Sequence, residues 1–416
     1  MNFRMSVATQ LIENAVRLLV NFFVMAAVVR YLGPEKFAIL SLVLTIYLVF
    51  SVFARFGLTE MLIDDFSKKN YQGGILEYTA SVFSLKLTIS IPVFLISIGL
   101  VQVFYGDVEI TTAYSILGIA LFTQSLDYSE SYMQANVDYK KIVCVRVILM
   151  FLLSSIKLLM VLNSISPGYF IYVFMLEYTL AHVLYYLFYS RCMPKLSFVL
   201  AKNFFWLNYK RFLPVLYMNV VVIIGLKLDQ FMLYKNVNDN DFGVFSAMLR
   251  LSESWYFVPT IAAISCHRLF VEWYLASEYR YIKNMSLTIW SSLTLAIIFC
   301  GTLSYFSSSV VDIVYGKEYI SGHGYLSLYA WVGVLIVFSR FVNRHLIVTD
   351  VQHVFLIKAS VFLLANFMSN YFLIPIWGIY GAIYSTIVSL FVSEVFLIFI
   401  LPNMRSTRKV VLGFTY

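Results

Sequence analysis

Residues 191–211 read RCMPKLSFVLAKNFFWLNYKR. The stretch carries Arg191, Lys195, Lys202, Lys210 and Arg211 and no acid. On either side lie about 200 residues of nearly unbroken apolar sequence. Apolar runs of ~20 residues are long enough to cross a ~30 Å hydrocarbon layer as helices. Lys and Arg concentrate in cytoplasmic loops. The stretch therefore reads as a cytoplasmic basic connector between an N-terminal lobe, 1–190, and a C-terminal lobe, 212–416, that ends in a short cytoplasmic tail.

Composition agrees. Of 416 residues, 61% are hydrophobic and 12% charged, where soluble domains carry about a quarter charged residues. A soluble chain this apolar would leave far more greasy surface than one core can bury. The net charge of +8 raises nucleic acid as a partner, but the bases fall in short loops, as topology signals do, and no nucleic-acid role is expected. Cys144, Cys192, Cys266 and Cys300 stand far apart with no Cys-x-x-Cys, so neither a disulfide framework nor a metal site is indicated. Near the N-terminus the apolar stretch is interrupted by Glu13 and Arg17 and lacks a small-residue cleavage site, which predicts a retained first span.

The pattern predicts an all-α polytopic membrane protein of about twelve spans: 7–31, 37–59, 79–104, 113–133, 142–162, 168–190, 212–234, 242–266, 285–306, 325–348, 355–375 and 378–401. Pro34, Pro167 and Pro375 read as loop punctuation; Pro92, Pro214 and Pro259 fall inside spans, where they kink a helix. With the N-terminus inside, sixteen Lys and Arg fall in cytoplasmic segments, and only Arg30 (counted at the outer end of the first span), Lys36, Lys235 and Lys317 in outer ones. That bias places both termini in the cytoplasm.

The halves echo each other. Gly106 and Gly316, and Gly168 and Gly378, are offset by 210; Phe37 and Phe242, which open the second and eighth spans, by 205. With six spans per half, both halves start inside, so the repeat is parallel, its pseudo-twofold along the membrane normal.

Charges sit where the membrane should be. The spans hold ten bases, Arg17, Arg55, Lys86, Arg146, Lys157, Lys227, Arg250, Arg340, Arg344 and Lys358, and seven acids, Glu13, Asp127, Glu130, Glu177, Asp229, Glu253 and Glu394. A central charge costs roughly 2.5–3.5 kcal/mol on insertion scales, so the deep ones must line a wet cavity or pair. Arg146, Arg344, Lys358 and Glu394 lie near span ends, within reach of snorkelling. Asn14, Arg17 and Asn21 make one helical stripe; Gln124, Asp127, Ser131 and Gln134 make another, with Glu130 beside it. Glu13–Arg17 and Arg250–Glu253 have the spacing of internal ion pairs, and such pairs serve packing as readily as binding. His182 reads as a hydrogen-bonded core residue.

Short motifs then resemble a known family. Leu32-Gly33-Pro34-Glu35-Lys36-Phe37, Leu228-Asp229, Asp241-Phe242-Gly243-Val244-Phe245, Arg250-Leu251-Ser252-Glu253, Tyr315-Gly316-Lys317-Glu318-Tyr319 and Gly378-Ile379-Tyr380-Gly381-Ala382 resemble the Wzx-type flippases of the multidrug/oligosaccharidyl-lipid/polysaccharide (MOP) exporter superfamily. Ala38 departs from the glycine common there. The resemblance implies two six-helix lobes around a central cavity. It also implies alternating-access transport of an undecaprenyl-diphosphate-linked oligosaccharide, usually an O-antigen repeat unit, across the bacterial inner membrane. A polysaccharide polymerase and a chain-length regulator are the partners it brings. Arg17, Asn21, Arg55, Lys86, Lys157, Lys227, Arg250 and Arg340 are then the expected substrate-binding residues. Glu13, Asp127, Glu130, Glu177, Asp229 and Glu253 are the expected ion-pairing or coupling acids for a proton or Na⁺, with no other cofactor. A multidrug antiporter of the same superfamily shares this architecture; its cavity should lean acidic or apolar. A polymerase-type membrane enzyme usually carries a large outer loop, and no nucleophile–base pair, phosphate loop or metal-spaced cluster is present to support one.

Overall fold

The computed structural model describes residues 3–71, 74–135, 139–189, 196–351 and 353–413, without the side chains of 3–15, 139–141 and 189. Among the described residues nearly all are helical and none is in a strand. The chain forms two compact units, Met1–Leu32 with Ile39–Ile223, and Gly33–Ala38 with Ile224–Tyr416.

In the first unit, α1 (Phe3–Arg55) carries the first two expected spans in one run, broken at Gly33 (φ 71°, ψ 168°). Pro34 opens the second segment, where its missing N–H leaves no hydrogen bond unmade. The chain turns at Gly57 (φ 66°) into α2 (Leu58–Lys68). A Cβ on Gly57 would stand 2.6 Å from the backbone of Phe212 and of Leu216, so only glycine admits this approach. The loop expected at 60–78 is thus largely a helix. Leu58, Met61, Leu62, Asp65 and Phe66 of α2 share one buried face at helical spacing. Next come α3 (Ile75–Tyr105), which contains Pro92, and a fourth span in pieces: α4 (Val108–Gly118), α5 (Ala120–Thr123), a 3₁₀ turn Gln124–Leu126 and α6 (Tyr128–Ala135). α7 (Tyr139–Leu162), α8 (Phe170–Tyr189) and α9 (Phe198–Tyr234) follow. Leu58, Leu62, Phe66, Tyr78, Val82, Tyr128, Phe204 and Phe212 form one core of this unit.

The expected connector, 191–211, is helical from Phe198 onward, and Lys202, Lys210 and Arg211 ride on the first turns of α9. Residues 191–195 lie outside the described set. The units part further along, inside α9 between Ile223 and Ile224.

The second unit contains α10 (Asp239–Glu253), α11 (Phe257–Ser265), α12 (His267–Ala276), α13 (Glu278–Tyr305) and α14 (Ser307–Val314). α15 (His323–Tyr329), α16 (Val332–Val348), α17 (Val354–Trp377), α18 (Ile379–Leu390), α19 (Leu397–Ile400) and α20 (Arg405–Leu412) complete it. Asn238 caps α10, its Oδ1 accepting the Asp241 N–H at 2.8 Å, and Asp239 and Asp241 suit the positive end of the helix. α10 stops short because Pro259 has no N–H to offer the Trp255 carbonyl. That carbonyl takes the Val258 N–H instead, at 2.9 Å, in a 3₁₀-type bond. Pro375 lies inside the last turn of α17, not in a loop. Gly243 packs so closely on the Pro34 carbonyl that a Cβ would overlap it.

Among the described residues, eight helices are long and apolar enough to cross a membrane, and the pair Lys317–Tyr329 and Val332–Val348, bent by 41°, makes a ninth if it is one span. The first of the eight, Val16–Arg55, holds two expected spans. The fourth and eighth expected spans are broken helices. The twelve-span, two-lobe reading is consistent with this layout. Gly106 (φ 66°) ends α3 directly, whereas its counterpart Gly316 (φ 88°) comes one short helix later, after α14.

Candidate functional site

The first unit pairs its deep bases with its own carboxylates. Lys86 on α3, with no exposed side chain, binds Asp127 at the start of α6. Thr59 Oγ1 donates to the other Asp127 oxygen at 3.3 Å. Lys157 on α7 stands 2.5 Å from Glu177 on α8 and 4.2 Å from the centre of the Phe174 ring. Arg146 binds Glu130, which also accepts Gln134 Nε2 at 3.1 Å. The stripe of Gln124, Asp127 and Ser131 is buried. Gln124 Nε2 donates to the Tyr47 hydroxyl at 3.2 Å. Two isolated buried charges would cost several kcal/mol each; paired and hydrogen-bonded, the cost largely cancels. Lys86 and Lys157, expected among the substrate-binding bases, are therefore already neutralised.

The remaining candidates of this unit differ. Arg17 is half-buried, and Asn21 and Arg55 are exposed. Arg55 has no ion pair or hydrogen bond among the described residues. The side chain of Glu13 lies outside the described set, and so does the expected Glu13–Arg17 pair.

One cluster escaped the sequence reading. Asp65 on α2, 1% exposed, is clamped by Arg211 of α9, with Nη1 and Nη2 donating to its two oxygens at 3.0 and 2.6 Å. The Tyr78 hydroxyl on α3 adds a third bond at 2.6 Å. Arg211 belongs to the expected connector, and Asp65 falls between the expected spans 37–59 and 79–104. Only the buried-face spacing of α2 hinted that Asp65 points inward.

The second unit leaves its charges more open. Lys227 and Arg250 are half-buried and Arg340 is exposed; among the described residues none makes an ion pair or a hydrogen bond. The expected Arg250–Glu253 pair does not form; the Arg250 guanidinium lies 5.9 Å from the centre of the Phe37 ring. Glu253 is half-buried, and no ion pair reaches it. Asp229 is buried and accepts the Gln230 N–H at 2.8 Å, again without an ion pair. Lys227, two residues along α9, acts on it electrostatically without forming an ion pair.

Lys358 and Glu394, expected to snorkel, instead pair inside the unit at 2.5 Å, with side chains 5% and 12% exposed. Lys358 also donates to Asn343 Oδ1 at 2.6 Å. Glu394 sits in a π-helical turn, Phe391–Phe396, a feature frequent where a helix carries function. Asn366 and Asn370 of α17, four residues apart and fully buried, share a hydrogen bond of 2.8 Å. The sequence signal for it is an Asn pair at i, i+4 in an apolar span. His182 Nδ1 lies 2.9 Å from the Tyr178 carbonyl.

Two broken, kinked helical units with charges at membrane depth define a multi-pass membrane protein. Its fold is that of the MOP superfamily. Similar structures include a lipid II flippase, MurJ, in an inward closed conformation (TM-score 0.75, 15% identity, 97% of this chain and 89% of that one). They include an inward-facing multidrug resistance MATE family transporter (TM-score 0.69, 13% identity, 96% of each chain). A third is a MOP superfamily transporter from Pyrococcus furiosus, described as having a binding pocket of reverse polarity (TM-score 0.61, 14% identity, 96% of each chain). No curated protein matches the chain. Residues 27–265 match the model of a polysaccharide biosynthesis protein family, and the chain belongs to that family.

Proposed function

We propose that this protein is a flippase rather than an enzyme. It carries a lipid-linked oligosaccharide from the cytoplasmic to the outer leaflet of the bacterial inner membrane by alternating access, with both termini in the cytoplasm. The observation that carries the reading is that Arg55, Lys227, Arg250 and Arg340, all among the expected binding bases, make no ion pair among the described residues. Bases at membrane depth are costly unless matched. A cargo with a diphosphate between lipid and sugar supplies the match. One such contact is worth about 4 kcal/mol at ~4 Å and an effective dielectric near 20, before desolvation is subtracted. The family and the lipid II flippase among the similar structures support this class of cargo. The particular cargo proposed is an undecaprenyl-diphosphate-linked O-antigen unit, handed on to a polymerase and chain-length regulator. A coupling proton or Na⁺ would use Asp229 or Glu253, because Asp127, Glu130 and Glu177 are held by bases.

Those two open acids favour a second reading, a multidrug antiporter for cations, in keeping with the MATE relative. A strain lacking the protein separates the two. Complete lipid-linked units should accumulate on the cytoplasmic face with no polymer, and should stay there when Arg250→Gln/Arg340→Gln protein is supplied. Unchanged lipid-linked sugar together with new drug sensitivity would replace the flippase with the antiporter.

A further inference from the structure

The first unit holds a second polar site, whose wall includes none of the bases assigned to the diphosphate. A cavity of about 330 Å³ opens between the end of α2, the start of α3 and the start of α9. Its wall carries Asp65, Asn70, Glu77, Tyr78, Asn203 and Arg211. From these groups we infer that the cavity is a sugar-ring site, one that reads the glycan of the cargo on the side where it is loaded. The inference rests on the flippase reading and deepens it.

Position comes first. α9 has 37 residues, and at ~1.5 Å per residue it is about 55 Å long, well beyond a ~30 Å hydrocarbon layer. Its first turns therefore lie past the apolar slab. The exposed Lys68 and Lys69 at the end of α2, and Lys202 and Lys210 on α9, mark this end as cytoplasmic.

Charge then selects the ligand. Arg211 is clamped by the buried Asp65, and Glu77 adds a further carboxylate, so the lining carries one net negative charge. A free phosphate or diphosphate is repelled by that balance. Hydroxyl groups are not: they both donate and accept. The amides of Asn70 and Asn203 and the carboxylate of Glu77 have no side-chain hydrogen bond among the described residues. They therefore offer unspent donors and acceptors. Leu200, Leu207 and Phe204 supply an apolar wall on the α9 side. A sugar ring has this same division, a C–H face and a hydroxyl rim. Exposed polar side chains beside apolar ones, around the held Asp65–Arg211–Tyr78 cluster and in a cavity above ~300 Å³, suit a small ligand that enters from water. The Asp65–Arg211–Tyr78 bonds tie α2, α3 and α9 together, so the wall is held in shape before a ligand arrives.

The test uses the full chain in detergent and saturation-transfer NMR with methyl glycosides of glucose, galactose, rhamnose and N-acetylglucosamine, each at about 10 mM, a concentration suited to weak single-ring binding. At least one glycoside should receive saturation. Its signal should fall at least five-fold in Asn203→Leu and in Glu77→Gln, which leave the Asp65 clamp intact, and inorganic pyrophosphate should not displace it. Arg250→Gln/Arg340→Gln protein should keep the signal, which separates this site from transport itself. No signal from any glycoside, equal signals in both cavity variants, or displacement by pyrophosphate would overturn the inference, whether or not the chain proves to be a flippase.

Discussion

The two units treat their buried charges differently. The first locks Lys86, Arg146, Lys157 and Arg211 onto Asp127, Glu130, Glu177 and Asp65. The second makes one deep pair, Lys358 with Glu394, and leaves Lys227, Arg250 and Arg340 without a carboxylate among the described residues. The same composition thus serves two ends. A locked pair contributes packing specificity and little net stability, but breaking it strands a charge. An open base contributes little to the fold and is available to an anion.

The comparison can be broken by experiment, and the largest effect should come from the first unit. Replacing Lys86 with Met leaves Asp127 buried without its partner and should destabilise the protein by about 3–5 kcal/mol. Thermal unfolding in detergent reads this, and adding Asp127→Leu should restore most of the loss. If Lys86→Met alone unfolds like wild type, Lys86 is not locked.

Tyr78→Phe removes one hydrogen bond to the buried Asp65 carboxylate. It should cost about 1.5–3 kcal/mol, the range for a bond to a charged group. Gly57→Ala forces a Cβ into the α9 backbone and should cost about 1–3 kcal/mol by overpacking. Both are checked by shifts in unfolding midpoint at constant detergent and salt.

The smallest stability effect should come from the second unit. Lys227→Gln and Arg340→Gln each remove a base that makes no ion pair or hydrogen bond among the described residues, and unfolding should move by no more than about 0.5 kcal/mol. Polymer output from the complemented strain should nonetheless fall at least ten-fold, about 1.4 kcal/mol or more in the rate-limiting step. A large stability loss with normal polymer would reverse the contrast between the units.

Much of the fold was legible because its signals are local. Apolar runs near 20 residues, the glycines at helix ends and the bias of Lys and Arg each sit within one segment. The breaks were harder. Pro259 marked a kink, but the polar 3₁₀ turn at Gln124–Leu126 and the helix Leu58–Lys68 were read as an unbroken span and a loop. The candidate site was legible as an inventory of charges and not as an arrangement. Arg250 and Glu253 had ideal spacing and do not pair, because an aromatic ring takes the guanidinium. Lys358 and Glu394 looked free to reach the interface and are enclosed.

By itself, the sequence determined that this chain lives in a membrane, that it crosses it in two similar halves, and that charged side chains ride on its spans. Those properties follow from composition and from the period of a single helix. Tertiary structure alone decided which charges cancel. Lys86 meets Asp127 across 41 residues, and Arg211 meets Asp65 across 146. Such a meeting depends on how each helix is rotated and where it breaks, and the 3.6-residue repeat of one helix carries no record of the rotation of another.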